Sequence, residues 1–247
     1  MRATADQRPL QKVRKTTVVD GVLTQLKEML RSHAYPPRSK FPSERDMARQ
    51  LGVSLPSVRE ALRTLTVMGV VDTRHGSGTR VADSSANLLK VPFEFLMMFD
   101  QPSVGELLQV RELIEVFLAG RAAQERTPGD LVAIEAALSE MRTAFGHAEA
   151  MVDPDVRFHE AIAAAAHNRV LERVMNCLHG AIRESMAAAV KGVPDTRAVL
   201  DYHSEILEAI RRRKPEEARR AMRKHMAETA KEHKRSESRR GRRKRRA

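Results

Sequence analysis

The chain has 247 residues, 42% hydrophobic and 31% charged, enough for one large globular domain or two ordinary ones. Aromatics make up 4% and Trp is absent, so Leu, Ala, Val, Ile and Met must build the core, a composition that favours helices over sheets. No apolar run reaches bilayer length, the N-terminus lacks the apolar stretch of a secretory signal, and the single Cys177 excludes an internal disulfide framework, so the expected compartment is a reducing cytoplasm without membrane attachment.

The formal net charge of +12 is unevenly spread. Residues 1–83 hold 15 Lys/Arg against 8 Asp/Glu, and residues 231–247 hold 10 against 2, which leaves the middle slightly acidic. A basic front, a near-neutral body and a basic end point to nucleic acid as a partner, with a different task for the middle.

Residues 1–15 read as a flexible arm. From Thr16 to His33 the apolar residues Val19, Val22, Leu23, Leu26, Met29 and Leu30 fall at helical spacing. After the turn YPPRSKFPSER, Ser43 is placed to cap a second short helix, with Asp46 in a capping-box position and Gly52 as the stop. Ser54 caps a third helix with Pro56 in its first turn, Val58, Ala61, Leu62 and Leu65 on its inner face, and Arg59 and Arg63 elsewhere. The period then changes to two: VVDTR and TRVAD flank HGSG, which predicts a hairpin. Three helices plus a β-hairpin describe a winged helix-turn-helix over 16–83. Its third helix opens with small hydroxyl residues whose free N–H groups suit phosphates, and Arg59 lies one turn further in. A helical protein-interaction domain with a solvated Arg face is the plainer alternative. Basic charge, turn and wing together weigh against it.

The run FPSERDMARQLGVSLPSVREALRTLTVMGVVDTRHGSGTRV resembles the DNA-binding domain of the GntR family of bacterial transcription regulators. The resemblance implies DNA contacts from Arg45, Ser54, Ser57 and Arg59 and from His75 and Gly76 at the wing tip. Leu55 departs from the Arg that many members carry there, so their operator sequence does not transfer.

Residues 84–233 read as helices joined by short loops, an all-α antiparallel bundle of six or seven. Three of those helices carry ionisable residues on apolar faces. Asp155 and His159 align with Ile162 and Ala166, His203 with Val199, Ile206 and Ile210, and His225 with Ala218, Met222 and Thr229. A single such His is more often a satisfied core residue than a ligand. An Asp and three His on three helices, converging, would offset the cost of their burial by binding a divalent transition metal: Zn, Ni, Mn, Co or Fe. His179 and the remaining histidines do not share the pattern.

This region is similar to the FCD domain of the FadR-like subgroup of GntR regulators, through L-L-Q-V-R-E-L-I-E, D-V-R-F-H, Asn168 and H-S-E-I-L-E-A-I with His225. The resemblance places the family's metal ligands on Asp155, His159, His203 and His225. It implies a cavity for a small carboxylate effector, with Arg111 facing it. An i, i+4 pair between Arg111 and Glu115 is the competing role. Lys214 stands where the family commonly caps its last helix with Asp.

The basic end, KEHKRSESRRGRRKRRA, is too charged to pack and is expected to be disordered over 234–247. Such a run either adds salt-dependent DNA affinity or serves as a solubilising end.

The combined expectation is a homodimeric, ligand-responsive repressor on a near-palindromic double-stranded operator, located in the bacterial cytoplasm at the nucleoid. The competing reading is a metal-dependent hydrolase or lyase fused to a DNA-targeting domain.

Overall fold

The computed structural model describes residues 17–74, 78–82, 88–189 and 196–244. The chain divides into two compact units, Met1–Leu88 and Leu89–Ala247. The proposed arm at 1–15, the wing-tip residues His75 and Gly76, and residues 245–247 lie outside the described residues.

In the first unit, helix α1 (Val18–Arg31) starts at a capping box in which Thr17 accepts from the Asp20 N–H and the Asp20 carboxylate accepts from the Thr17 N–H. Helix α2 (Glu44–Leu51) is capped by Ser43 and ends at Gly52, whose φ of 65° lies in the left-handed region that a side chain would strain. Helix α3 (Leu55–Val67) is capped by Ser54 and begins with Pro56 in its first turn. Strands β1 (Val71–Arg74) and β2 (Gly78–Val81) pair antiparallel, Val71 opposite Val81. Val22, Leu26, Phe41, Met47, Val58, Ala61, Leu62, Leu65 and Val71 form one buried core, so each predicted inner face is the packed one.

The second unit contains seven helices among the described residues: α4 (Lys90–Asp100), α5 (Val104–Glu125), α6 (Pro128–Thr143), α7 (Ala148–Ala165), α8 (Arg169–Ala189), α9 (Thr196–Arg211) and α10 (Pro215–Lys244). α5 and α6 open on capping boxes, Ser103 with Glu106 and Thr127 with Asp130. α10 packs on α5 and α9, and α7 packs on α5, α6 and α8. Gly120 on α5 leaves room for the Arg219 side chain of α10. Two arginines tie loop ends together. Arg126 donates to the carbonyls of Ile210 and Arg211, while Arg213 donates to those of Gln124 and Arg126. These bonds satisfy carbonyls that helix C-termini otherwise leave without partners.

One expectation is corrected. The basic end is not disordered from residue 234, because α10 runs on as helix to Lys244. Ala218, Met222 and Met226 anchor its first half, so the extension pays no nucleation cost. Lys and Arg are good helix formers, and Glu228–Lys231 and Glu232–Arg235 pair at i, i+3.

Leu26 is completely buried in the first unit's core. Leu26→Ala is expected to destabilise that unit by about 2–5 kcal/mol, read from denaturant unfolding.

Candidate metal centre and DNA-binding face

α7 carries Asp155 and His159 one turn apart, α9 carries His203, and α10 carries His225. All four are buried, and one potential ligand atom from each lies within 4.8 Å of the others. Asp155 Oδ1 is 2.9 Å from His203 Nε2 and 4.0 Å from His159 Nε2. His159 Nε2 and His225 Nε2 are 3.2 Å apart. Phe158 closes one side, its ring centroid 4.8 Å from that of His203.

The outer partners determine which ring nitrogens point inward as acceptors. His203 Nδ1 lies 2.8 Å from the Val199 carbonyl oxygen, so Nδ1–H donates there and Nε2 keeps its lone pair. That lone pair faces the Asp155 carboxylate. His159 Nδ1 likewise lies against Glu115 Oε2, which turns its Nε2 lone pair toward His225. His203 Nε2 and Asp155 Oδ1 are thus two acceptors facing each other in a buried site, while the His159–His225 contact is a hydrogen bond when His225 Nε2 carries the proton. Protonating His159 or His225 is disfavoured: burial lowers both, and for His225 the neighbouring His203 and His159 lower it further. One cation among the four satisfies the facing Asp155 and His203 acceptors and can take a lone pair from each of the other two imidazoles, so the residues present fit a metal.

Glu115, on α5, holds a second layer together. Its Oε1 accepts from Arg111 Nε at 2.5 Å and lies 3.4 Å from His179 Nε2, while Oε2 meets His159. Burial would raise its pKa, but the Arg111 charge, followed by His159 and His179, holds it well below the usual carboxylate range. Burial likewise opposes the Asp155 charge, and His203, His159 and His225 overcome it, so this carboxyl is also held low. With neutral imidazoles, Arg111, Glu115 and Asp155 leave the buried cluster at a net charge of −1. A carboxylate donating no proton of its own but accepting one from a ligand's far nitrogen is the usual support for a metal-binding His.

The structure therefore assembles all four predicted ligands. It also gives Arg111 the i, i+4 ion pair with Glu115, buried at both ends. Glu115 and His179 belong to the polar cluster although the sequence did not single them out for it. The spacing of polar residues on apolar faces gave no hint of His179; the four-residue spacing from Arg111 was the available signal for Glu115.

In the winged unit, Arg45, Ser54 and Arg59 are exposed and Ser57 is half-buried. Ser54 Oγ accepts from the Ser57 N–H and lies 2.9 Å from Ser57 Oγ. Arg59 Nε donates to Glu44 Oε2 at 2.7 Å, which ties α3 to the start of α2 beside Arg45.

Residues 19–81 match the gntR family of bacterial regulatory proteins, and residues 106–228 match the FCD domain. The putative L-lactate dehydrogenase operon regulatory protein of Escherichia coli K12 is 35% identical over 201 residues, covering 76% of this chain and 75% of that protein. LutR of Bacillus subtilis, an HTH-type transcriptional regulator, is 34% identical over 158 residues, covering 64% of this chain and 72% of its own. The HTH-type transcriptional repressor NanR of Cronobacter sakazakii is 28% identical over 229 residues, covering 89% and 85%. Among solved structures, a Streptococcus agalactiae GntR protein has the same fold, with a TM-score of 0.69 at 24% identity over 87% of this chain and 99% of that one.

The chain belongs to the GntR family, with a C-terminal FCD domain. It is a ligand-responsive DNA-binding transcription regulator and not an enzyme; these relatives give the hydrolase or lyase reading no support.

Glu115→Gln keeps the side chain's shape and removes the carboxylate charge that pairs with the buried Arg111. Breaking such a pair is expected to cost about 3–5 kcal/mol, measured as a lower urea midpoint for the second unit.

Proposed function

We propose that Asp155, His159, His203 and His225 bind one divalent transition metal (Zn, Ni, Mn, Co or Fe), and that a small carboxylate metabolite bound beside it modulates operator binding. The observation that carries this reading is the pair of facing lone pairs on Asp155 and His203, 2.9 Å apart in a dry interior. Mixed N/O ligation suits these metals better than Ca or Mg. When bound, the ion supplies positive charge and open coordination positions. A divalent ion turns the cluster's net −1 into +1, which a monocarboxylate neutralises. Arg111 lies in the same cluster and adds a fixed positive charge on the α5 side. The E. coli relative's name concerns an L-lactate dehydrogenase operon, so L-lactate is the first carboxylate to try.

In the winged unit Arg45 and Arg59, with the Ser54 and Ser57 hydroxyls and the wing tip at His75 and Gly76, contact the operator. The regulator works as a repressor in the bacterial cytoplasm, on the nucleoid, as a homodimer on a near-palindromic site. The support for a second copy is α5 itself. Leu107 and Leu118 are buried in the bundle, yet Val110, Leu113 and Phe117 on its other side stay exposed, Leu113 by 77%. A helix that is apolar all round calls for cover on both sides.

Elemental mass spectrometry on protein purified without chelator is expected to find about one transition-metal ion per chain. His203→Ala should lose most of it, and L-lactate or another small carboxylate should shift DNA affinity in wild type but not in the variant. Absence of metal from wild type, with no uptake on adding Zn, Ni or Mn, would sink the reading. Leu113→Glu is expected to convert dimer to monomer in sedimentation and to weaken binding to a palindromic duplex at least tenfold, a loss of about 1.4 kcal/mol.

A further inference from the structure

The C-terminal part of α10 has no role in the regulator described so far. Among the residues whose burial is described, the bundle's last fully buried one is Met226, and the FCD match ends at 228, but the helix continues to Lys244. Along this extension the acids are used up early. Glu228 pairs with Lys231 and Glu232 with Arg235, and Glu237 is the last acid in the chain. Arg239, Arg240, Arg242, Arg243 and Lys244 then follow within six residues. On a helix, Arg239 stands three and four positions from Arg242 and Arg243, and Arg240 stands likewise to Arg243 and Lys244. Each such like-charge pair opposes the helix. A polyanion alongside turns that repulsion into attraction.

We propose that these last turns of α10 are a second, sequence-independent contact for the phosphate backbone of duplex DNA. The charge density suits this partner. At about 1.5 Å of rise per residue, five cations occupy roughly 9 Å of helix, close to the spacing of about 1.7 Å per phosphate charge along a duplex. Arginine predominates, and its planar fork binds phosphate oxygens in pairs. Residues 231–247 contain no Leu, Ile, Val, Met, Phe, Tyr or Trp. The segment therefore has no rings on which to stack unpaired bases and no apolar face to sink into a bilayer. The inference rests on the DNA binding of the winged domain, which holds duplex DNA in the same molecule and so raises its local concentration for the tail.

The test compares three proteins: the full chain, a chain ending at His233, and a full-length variant with Arg239→Gln, Arg240→Gln, Arg242→Gln, Arg243→Gln and Lys244→Gln. The probe is a mixed-sequence DNA duplex several helical turns long, titrated across a range of salt. The five Gln substitutions are expected to make the slope of log K against log salt shallower by about 4 per chain, because five phosphate contacts release their counterions together. Affinity at low salt should fall at least tenfold, and the truncation, which removes nine cations including these five, should lower slope and affinity by at least as much. Equal slopes for all three proteins would overturn the proposal. So would a tail-dependent gain seen only with an RNA duplex or with phosphatidylserine vesicles. Arg59→Ala in the truncated chain separates the two readings. If the truncated chain binds duplex and this variant does not, the winged domain is the primary contact whatever the tail does.

Discussion

Burial of Asp155 among three imidazoles imposes a charge requirement on the whole second unit. Isolated carboxylates are not left in a dry core, because the lost hydration is worth far more than any one packing contact. Here three helices deliver the carboxylate and the imidazoles to one place, with Val199 and Glu115 turning two lone pairs inward. The apolar residues around this cluster, such as Phe158, Ile162, Ile206 and Met222, give it the low dielectric in which a bound ion holds strongly. The same surroundings make an unfilled cluster a point of weakness.

This arrangement suggests how occupancy reaches the rest of the bundle. α7 carries two of the candidate ligands and α9 and α10 one each, while α5 carries the carboxylate that orients one of them. A charge change in the centre therefore acts on four helices at once. α5 is also the helix whose outer side presents Val110, Leu113 and Phe117. A shift of α5 against α10 would be felt on the face proposed to meet a second copy, the element through which two DNA-binding units acquire a common spacing. Coupling of this kind is reciprocal, so operator binding must alter effector affinity by the same factor.

Much of this was legible in the sequence, for identifiable reasons. The winged unit is legible because its signals are local: caps at Ser43 and Ser54, a stop at Gly52, and a change of period after Gly69. The four candidate ligands are legible because α7, α9 and α10 are amphipathic, and a polar residue on an apolar face stands out. Glu115 was harder. α5 is apolar on nearly all sides, so it has no face against which a buried Glu looks misplaced, and its pairing with Arg111 reads equally well as a surface ion pair. His179 gains its meaning only from Glu115, 64 positions away. The helical tail was missed because composition was weighed over continuity: a highly charged segment that cannot start a helix alone can extend one already anchored by Ala218, Met222 and Met226.

The tail also bears on how far such a regulator can be switched. Phosphate contacts by α10 add the same free energy to every duplex, whereas the effector acts on the component of binding that depends on how the winged domains meet the operator. Adding a constant term leaves the ratio of operator to non-operator affinity unchanged as long as the tail engages both equally. It does raise the occupancy of competing sites, which lie in great excess. A strong tail therefore keeps the protein on the chromosome after the effector has released it from the operator, and release becomes a redistribution along DNA more than a departure from it. Counterion release makes that balance steep in salt, so ionic strength sets how much of the protein stays on DNA through the tail, while the choice of operator over other duplex is left to the winged domains.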